Sequence, residues 1–89
     1  MWINTNYHVS LALVDKGHID VAKRIMSSTV ETVNFWYQRH GVVFEFYDAL
    51  NETDPTMLLR KGHTDSGGVR DYHWTAALTF RMLLDLEKL

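Results

Sequence analysis

The stretch HIDVAKRIMSSTVETVNFWYQRHG, residues 18–41, decides the fold of this chain. Within it Ala22, Ile25, Met26, Thr29, Val33, Trp36 and Tyr37 recur at three- and four-residue steps, the spacing of one face of an α-helix. Lys23, Arg24, Ser27, Glu31, Asn34 and Gln38 make the other side polar, so this helix offers a single stripe to a core. Asp20 stands in its first turn and Gly41 is placed to end it in the left-handed conformation. Working outward, residues 4–16 carry Tyr7, Val9, Leu11, Ala12, Leu13 and Val14 ahead of Gly17 and predict a first helix. Residues 72–88 return to strong helix formers, from Thr75-Ala76-Ala77-Leu78 to Leu83-Leu84-Asp85-Leu86, and predict a third, with Asp71 as its N-cap. Between them, residues 42–47 are β-branched and aromatic around a lone Glu45 and predict a short extended segment. Residues 48–68 hold Pro55 and many polar groups and predict a long loop. The expected fold is all-α: three helices with one short extended segment.

Composition narrows the function. The 89 residues make one small domain, and a chain of this length buries only about 60 to 65% of its unfolded surface, too little for a large enclosed active site of its own. The net charge is −2 and the nine Lys and Arg are scattered, so the basic stripe that a phosphate backbone requires is absent and nucleic acid is not an expected partner. Without cysteine there is no disulfide framework and no thiolate metal site, a composition that fits a reducing, cytoplasmic setting. The longest apolar run near the start, residues 11–14, is too short for a signal sequence or a membrane span, and no membrane partner is expected. Asn51-Glu52-Thr53 matches the glycosylation acceptor tripeptide, which matters only in a secreted eukaryotic protein.

The outer helices carry an anomaly. Residues 9–14 are apolar at every position except Ser10, and residues 76–84 are apolar on most faces, a pattern typical of helices buried on all sides. Three helices cannot bury two of themselves completely, so the missing cover is expected from another copy, another chain, or sequence that has been lost.

Among chemical groups Glu45 stands out, because a carboxyl among apolar and aromatic neighbours is held in the setting that suits general acid or base work. Strand alternation gives the competing reading, in which Glu45 turns to solvent while Phe44 and Phe46 point inward. Trp2 and Trp74 lie where loops enter helices, positions from which binding residues project, and flat amphipathic rings of this kind stack on sugar faces. His8, His18, His40, His63 and His73 show no metal-ligand spacing, and no metal or cofactor is expected. Asp48, Asn51, Glu52 and Asp54 lack the ligand alternation of a calcium loop and read as a turn. Residues 62–68 lack the lysine of a phosphate loop and read as a flexible cover.

Three stretches then line up in order: Trp2-Ile3-Asn4-Thr5-Asn6-Tyr7, Phe44-Glu45-Phe46-Tyr47-Asp48, and Tyr72-His73-Trp74-Thr75-Ala76-Ala77-Leu78. Together they resemble the C-terminal part of (α/α)6-barrel glycoside hydrolases, above all family 63 α-glucosidases and their family 37 trehalase relatives. In those proteins an I-W-x-N-x-N-Y-type stretch opens an inner helix, an E-x-Y-[DN] segment follows an amphipathic helix, and a S-W-T-A-A-type stretch begins the final helix. The resemblance spans nearly the whole chain but only about a fifth of such a barrel, making residues 1–89 a single partial domain, equivalent to the last helices of an (α/α)6 toroid. It implies an inverting mechanism on an α-linked glucoside or oligosaccharide, with Glu45 as general base, Trp2, Asn4 and Trp74 lining sugar subsites, and Tyr47 close to the base. The family's general acid, an aspartate on an earlier loop, has no counterpart here, which implies a truncated enzyme that is inactive alone. His73 stands where a serine is common, and residues 51–71 form a longer, more charged loop than usual, which leaves the sugar open.

Two rivals remain. In one, the apolar outer helices form the interface of an obligate homo-oligomer, a small helical interaction module without catalysis. In the other, Trp2 and Trp74 survive as stacking platforms of a carbohydrate-binding remnant.

Overall fold

The computed structural model describes residues 1–58 and 72–89, and over these the chain is all-α. Helix α1 spans Ile3–Asp15, α2 spans Ile19–His40 and α3 spans His73–Lys88, each within a residue or two of its expected limits. A single 3₁₀ turn, Pro55–Met57, lies in the connection after α2. Asp71, His63 and residues 62–68, named above as an N-cap, a histidine and a loop, fall outside the described residues. Among the described residues no helix is long and apolar enough to cross a membrane.

Local chemistry sets the limits. Gly41 closes α2 at φ 73°, donating its N–H to the Tyr37 carbonyl at 2.7 Å, while Arg39 and His40 set cationic or donor groups against the negative end of the helix. Gly17 sits at φ 85° and lets the chain reverse between α1 and α2 in three residues, with the His18 N–H reaching back to the Leu13 carbonyl at 2.8 Å. At the start of α1 and α3 the flanking residues, Trp2 and Tyr72, are extended and contribute no capping side chain.

The three helices all touch one another around Ile3, Ala22, Met26, Val33, Trp36, Phe44, Tyr47 and Met82. Where α1 meets α2 a polar relay is set into this apolar contact. The Ser10 hydroxyl donates to the Asn6 carbonyl at 2.8 Å, the Asn6 amide donates to the Thr29 hydroxyl at 3.0 Å, and that hydroxyl donates to the Ile25 carbonyl at 2.7 Å. Ser10 and Thr29 are both buried, and each finds its partner within this relay.

Residues 42–47, the expected short extended segment, are not a regular strand. They form no ladder; Phe46 makes one isolated antiparallel bridge to Trp2, and the chain around it is irregular. The alternation argument fails with it, because Phe44, Glu45, Phe46 and Tyr47 are all buried in succession. A strand turns alternate side chains to solvent only when one of its faces is open. Here the segment is enclosed by the N-terminal ends of α1 and α3.

The expectation that the outer helices are buried all round is likewise corrected. Only Ile3 and Ser10 of α1 and Thr75 and Met82 of α3 are buried, while Val9, Leu11, Phe80, Leu83 and Leu84 are exposed. Each helix has one face in the core and an apolar opposite face in solvent.

One pair of threonines checks the packing argument. Thr75 donates its hydroxyl to the Phe44 carbonyl at 2.6 Å, whereas the buried Thr79 hydroxyl has no hydrogen-bond partner among the described residues. Thr75→Val is therefore expected to lower stability by about 1 kcal/mol, and Thr79→Val to leave it unchanged or raise it. Thermal melts followed by circular dichroism measure both; equal losses would contradict the assignment.

Candidate functional site

Residues 43–47 are held from two sides. From α1, the Tyr47 N–H donates to the Met1 carbonyl at 2.8 Å, the Met1 amino group returns a bond to the Tyr47 carbonyl, and the Trp2 ring packs on Phe46 with centroids 5.3 Å apart. From α3, the Tyr72 N–H donates to the Val43 carbonyl at 3.2 Å and Thr75 bonds Phe44. The three stretches quoted from the sequence thus meet in space, with Glu45 on the central one. Its side chain is 2% exposed.

Tyr47 is enclosed as well, and its hydroxyl accepts the Phe44 N–H at 2.9 Å. Burial raises this phenol to about 12, against a smaller lowering by the Phe44 bond, so it stays protonated throughout the physiological range. Its part in the site is therefore to brace the backbone on one side of Glu45 while its own backbone is bonded to Met1. Trp2, packed on Phe46, keeps 38% of its surface in solvent and Trp74 keeps 51%, so part of each indole is accessible to a ligand. Asn4 is half-buried in the first turn of α1, two residues beyond the Trp2–Phe46 bridge.

A second support lies beneath this segment and escaped the sequence reading. The rings of Trp36, His40, Phe44 and Tyr47 form a continuous run: Trp36 and His40 stack at 6.1 Å, His40 meets Phe44 edge-on at 5.3 Å, and Phe44 meets Tyr47 edge-on at 6.1 Å. Polar groups of the following turn fix its lower end. The Trp36 indole N–H donates to Asn51 Oδ1 at 2.7 Å, and His40 Nε2 lies 2.8 Å from Asp54 Oδ2. Residues 48–54 do form the turn expected of them. Asp48 Oδ2 accepts the N–H groups of Glu52 and Thr53 at 2.9 and 3.1 Å, and Asn51 takes up the left-handed φ of 56° that asparagine tolerates. The only sequence trace of this tie was a cationic helix end followed by a cluster of carboxylates, which gave charge but no pairing.

Both turn aspartates titrate below the ordinary carboxyl range. For Asp48 the largest cause is the Glu52 N–H bond. For Asp54 burial pushes the other way, and the two bonds from Thr56 with the bond and charge of His40 outweigh it.

Open grooves flank the bundle. One, of about 590 Å³, runs between α1 and α2 past Asn6, Val9, Arg24, Ser28 and Thr32. Another, of about 450 Å³, lies between α2 and α3 past Glu31, Asn34, Tyr37, Thr79 and Leu83. Glu45 lines neither. Among the described residues no three His, Asp or Glu side chains lie close enough together to hold a metal ion.

No family model matches this chain, and no curated protein and no solved structure matches it either.

The turn makes an acid-side prediction. A carboxyl whose folded value is lowered, like Asp54, contributes stability that is fully present above its unfolded value near 3.8 and is lost as pH falls through the lower folded value. Trp36 fluorescence is expected to hold steady down to about pH 4 and to change below it, with a smaller acid-side change in Asp54→Asn; identical acid profiles for the two proteins would contradict the tie.

Proposed function

We propose that this chain is the C-terminal part of an (α/α)6-type inverting glycoside hydrolase acting on an α-linked glucoside, and that Glu45 is its general base. The observation that carries the reading is the meeting of three stretches far apart in sequence, the start of α1, residues 43–47 and the start of α3, around one buried carboxyl-bearing residue. Nothing in the packing of a plain helical bundle requires a glutamate there, since residues with this degree of burial are ordinarily apolar. Two half-exposed indoles at the ends of the same helices supply the kind of surface on which pyranose rings stack.

Each residue has a physical role in this reading. Glu45 takes a proton from the attacking water as that water bonds to the anomeric carbon, while an acid elsewhere in the barrel protonates the departing oxygen from the opposite ring face. Trp2 and Trp74 bind the flat faces of neighbouring sugars, and Asn4, in the first turn of α1, is the hydrogen-bonding group of the same end. Tyr47, through Phe44, holds the base-bearing backbone at a fixed distance from both helix starts. The Trp36–His40–Phe44 run with its Asn51 and Asp54 ties backs the segment from the other side.

The same reading explains why the 89 residues should not turn over substrate. The acid that completes the two-carboxylate arrangement lies, in this reading, on an earlier part of the barrel. It also explains the apolar outer face of α1, which in a two-layered toroid lies against further helices. The chain as it stands is expected to release no glucose from maltose or trehalose. In the longer polypeptide that supplies the acid, Glu45→Gln is expected to cut kcat by about 10²- to 10⁴-fold, with sugar binding, read by tryptophan fluorescence, retained. Near-normal turnover in that variant would overturn the assignment.

A further inference from the structure

Helix α3 presents to solvent a face that is complementary to itself. Thr75, Leu78, Met82, Leu86 and Leu89 turn toward the core, and on the opposite side Ala76, Ala77, Phe80, Leu83 and Leu84 are all exposed, Phe80 by 64%. This is a second apolar stripe at helical spacing, with Phe80 at its centre. The small residues lie three and four positions before Phe80 and the large ones three and four positions after it. His73 and Glu87, one basic and one acidic, lie on the same face seven positions before and after Phe80.

That arrangement reads the same way when the helix is turned end for end. We propose that a second copy of this chain docks on α3, antiparallel, about a two-fold axis at Phe80. In this register Ala76 faces the partner's Leu83, Ala77 faces the partner's Leu84, and His73 faces the partner's Glu87, each contact occurring twice. Small residues opposite large ones let the two ridges through Phe80, the i±3 and i±4 rows, settle into each other's grooves. The imidazole N–H meets a carboxylate at both ends of the seam. A parallel pairing places His73 against His73 and Glu87 against Glu87, and leaves the alanines facing one another across a gap.

The exposed surface suits the same partner. Phe80, Leu83 and Leu84 keep 64%, 47% and 38% of their surface in solvent and lie together on one face, so the apolar surface is continuous, as an interface between copies requires. The exposed apolar residues of α1, Val9, Leu11 and Ala12, are fewer and show no such symmetry. This docking surface does not depend on the glycosidase reading. It is a property of the 89-residue chain, and it stands or falls by assembly state rather than by activity.

The absence of cysteine makes a direct test available. Sedimentation equilibrium on the full chain, at concentrations up to about 1 mM, is expected to show a reversible dimer and nothing larger. Phe80→Glu is expected to give a monomer with unchanged helical circular dichroism, and Val9→Glu to remain dimeric. Because the axis passes through position 80, Phe80→Cys is expected to form a disulfide-linked dimer under mild oxidation, and Val9→Cys to stay uncrosslinked. A wild-type monomer, open-ended aggregates, a dimer that survives Phe80→Glu, or equal crosslinking at positions 9 and 80 would each overturn the proposal. The first two of these outcomes would assign the face to a different polypeptide.

Discussion

The backbone bonds that hold residues 43–47 between the starts of α1 and α3 are the constraint on which the rest of this structure depends. An irregular segment can be buried only if its peptide groups find partners, since each one left without costs as much as a lost hydrogen bond. Met1, Tyr72 and the Thr75 hydroxyl supply those partners from helix ends, where backbone groups have no bond within the helix. Satisfying the segment therefore fixes where α1 and α3 begin relative to each other. The two helix starts, with Trp2 and Trp74 on them, are aimed by the same contacts that bury Glu45.

The opposite side of the segment is fixed by rings rather than by backbone. Trp36 and His40 are one helical turn apart on α2, so their rings stack, and Phe44 meets that stack edge-on as the chain leaves Gly41. Asn51 and Asp54 then close the turn back onto the end of α2. A residue with φ of 73° at position 41 and a second left-handed residue at position 51 make both reversals feasible. The carboxyl-bearing segment is thus clamped by hydrogen bonds at its helix-start side and by aromatic packing at the other, an arrangement more elaborate than a three-helix bundle needs for stability alone.

How much of this the sequence contained depends on the kind of signal. Helix α2 was legible to within a residue because its apolar spacing, its polar side and Gly41 all agree. Residues 42–47 show in the sequence as a short extended segment, but whether their side chains alternate does not show, because β-branched and aromatic composition marks an extended chain without saying what lies on its two faces. Glu45 was singled out correctly as unusual, but periodicity alone turned it to solvent; only its enclosure by two helix starts reverses that. The anomalous apolar faces of α1 and α3 were visible, and the structure locates them: they are open, and on α3 they centre on Phe80. The bond from Thr75 to Phe44 and the pairing of His40 with Asp54 left no trace in pattern, since both join residues far apart in sequence through single side-chain atoms.

Amide hydrogen exchange of the native 89-residue chain tests the central claim most directly. If residues 43–47 are anchored as described, the N–H groups of Phe44, Tyr47 and Tyr72 exchange as slowly as those in the buried middle of α2, around Met26 and Val33, and open only with the whole fold. Exchange of these three at the rate of an unstructured peptide, with α2 still protected, would mean that the segment is not clamped and that no fixed site is built around Glu45.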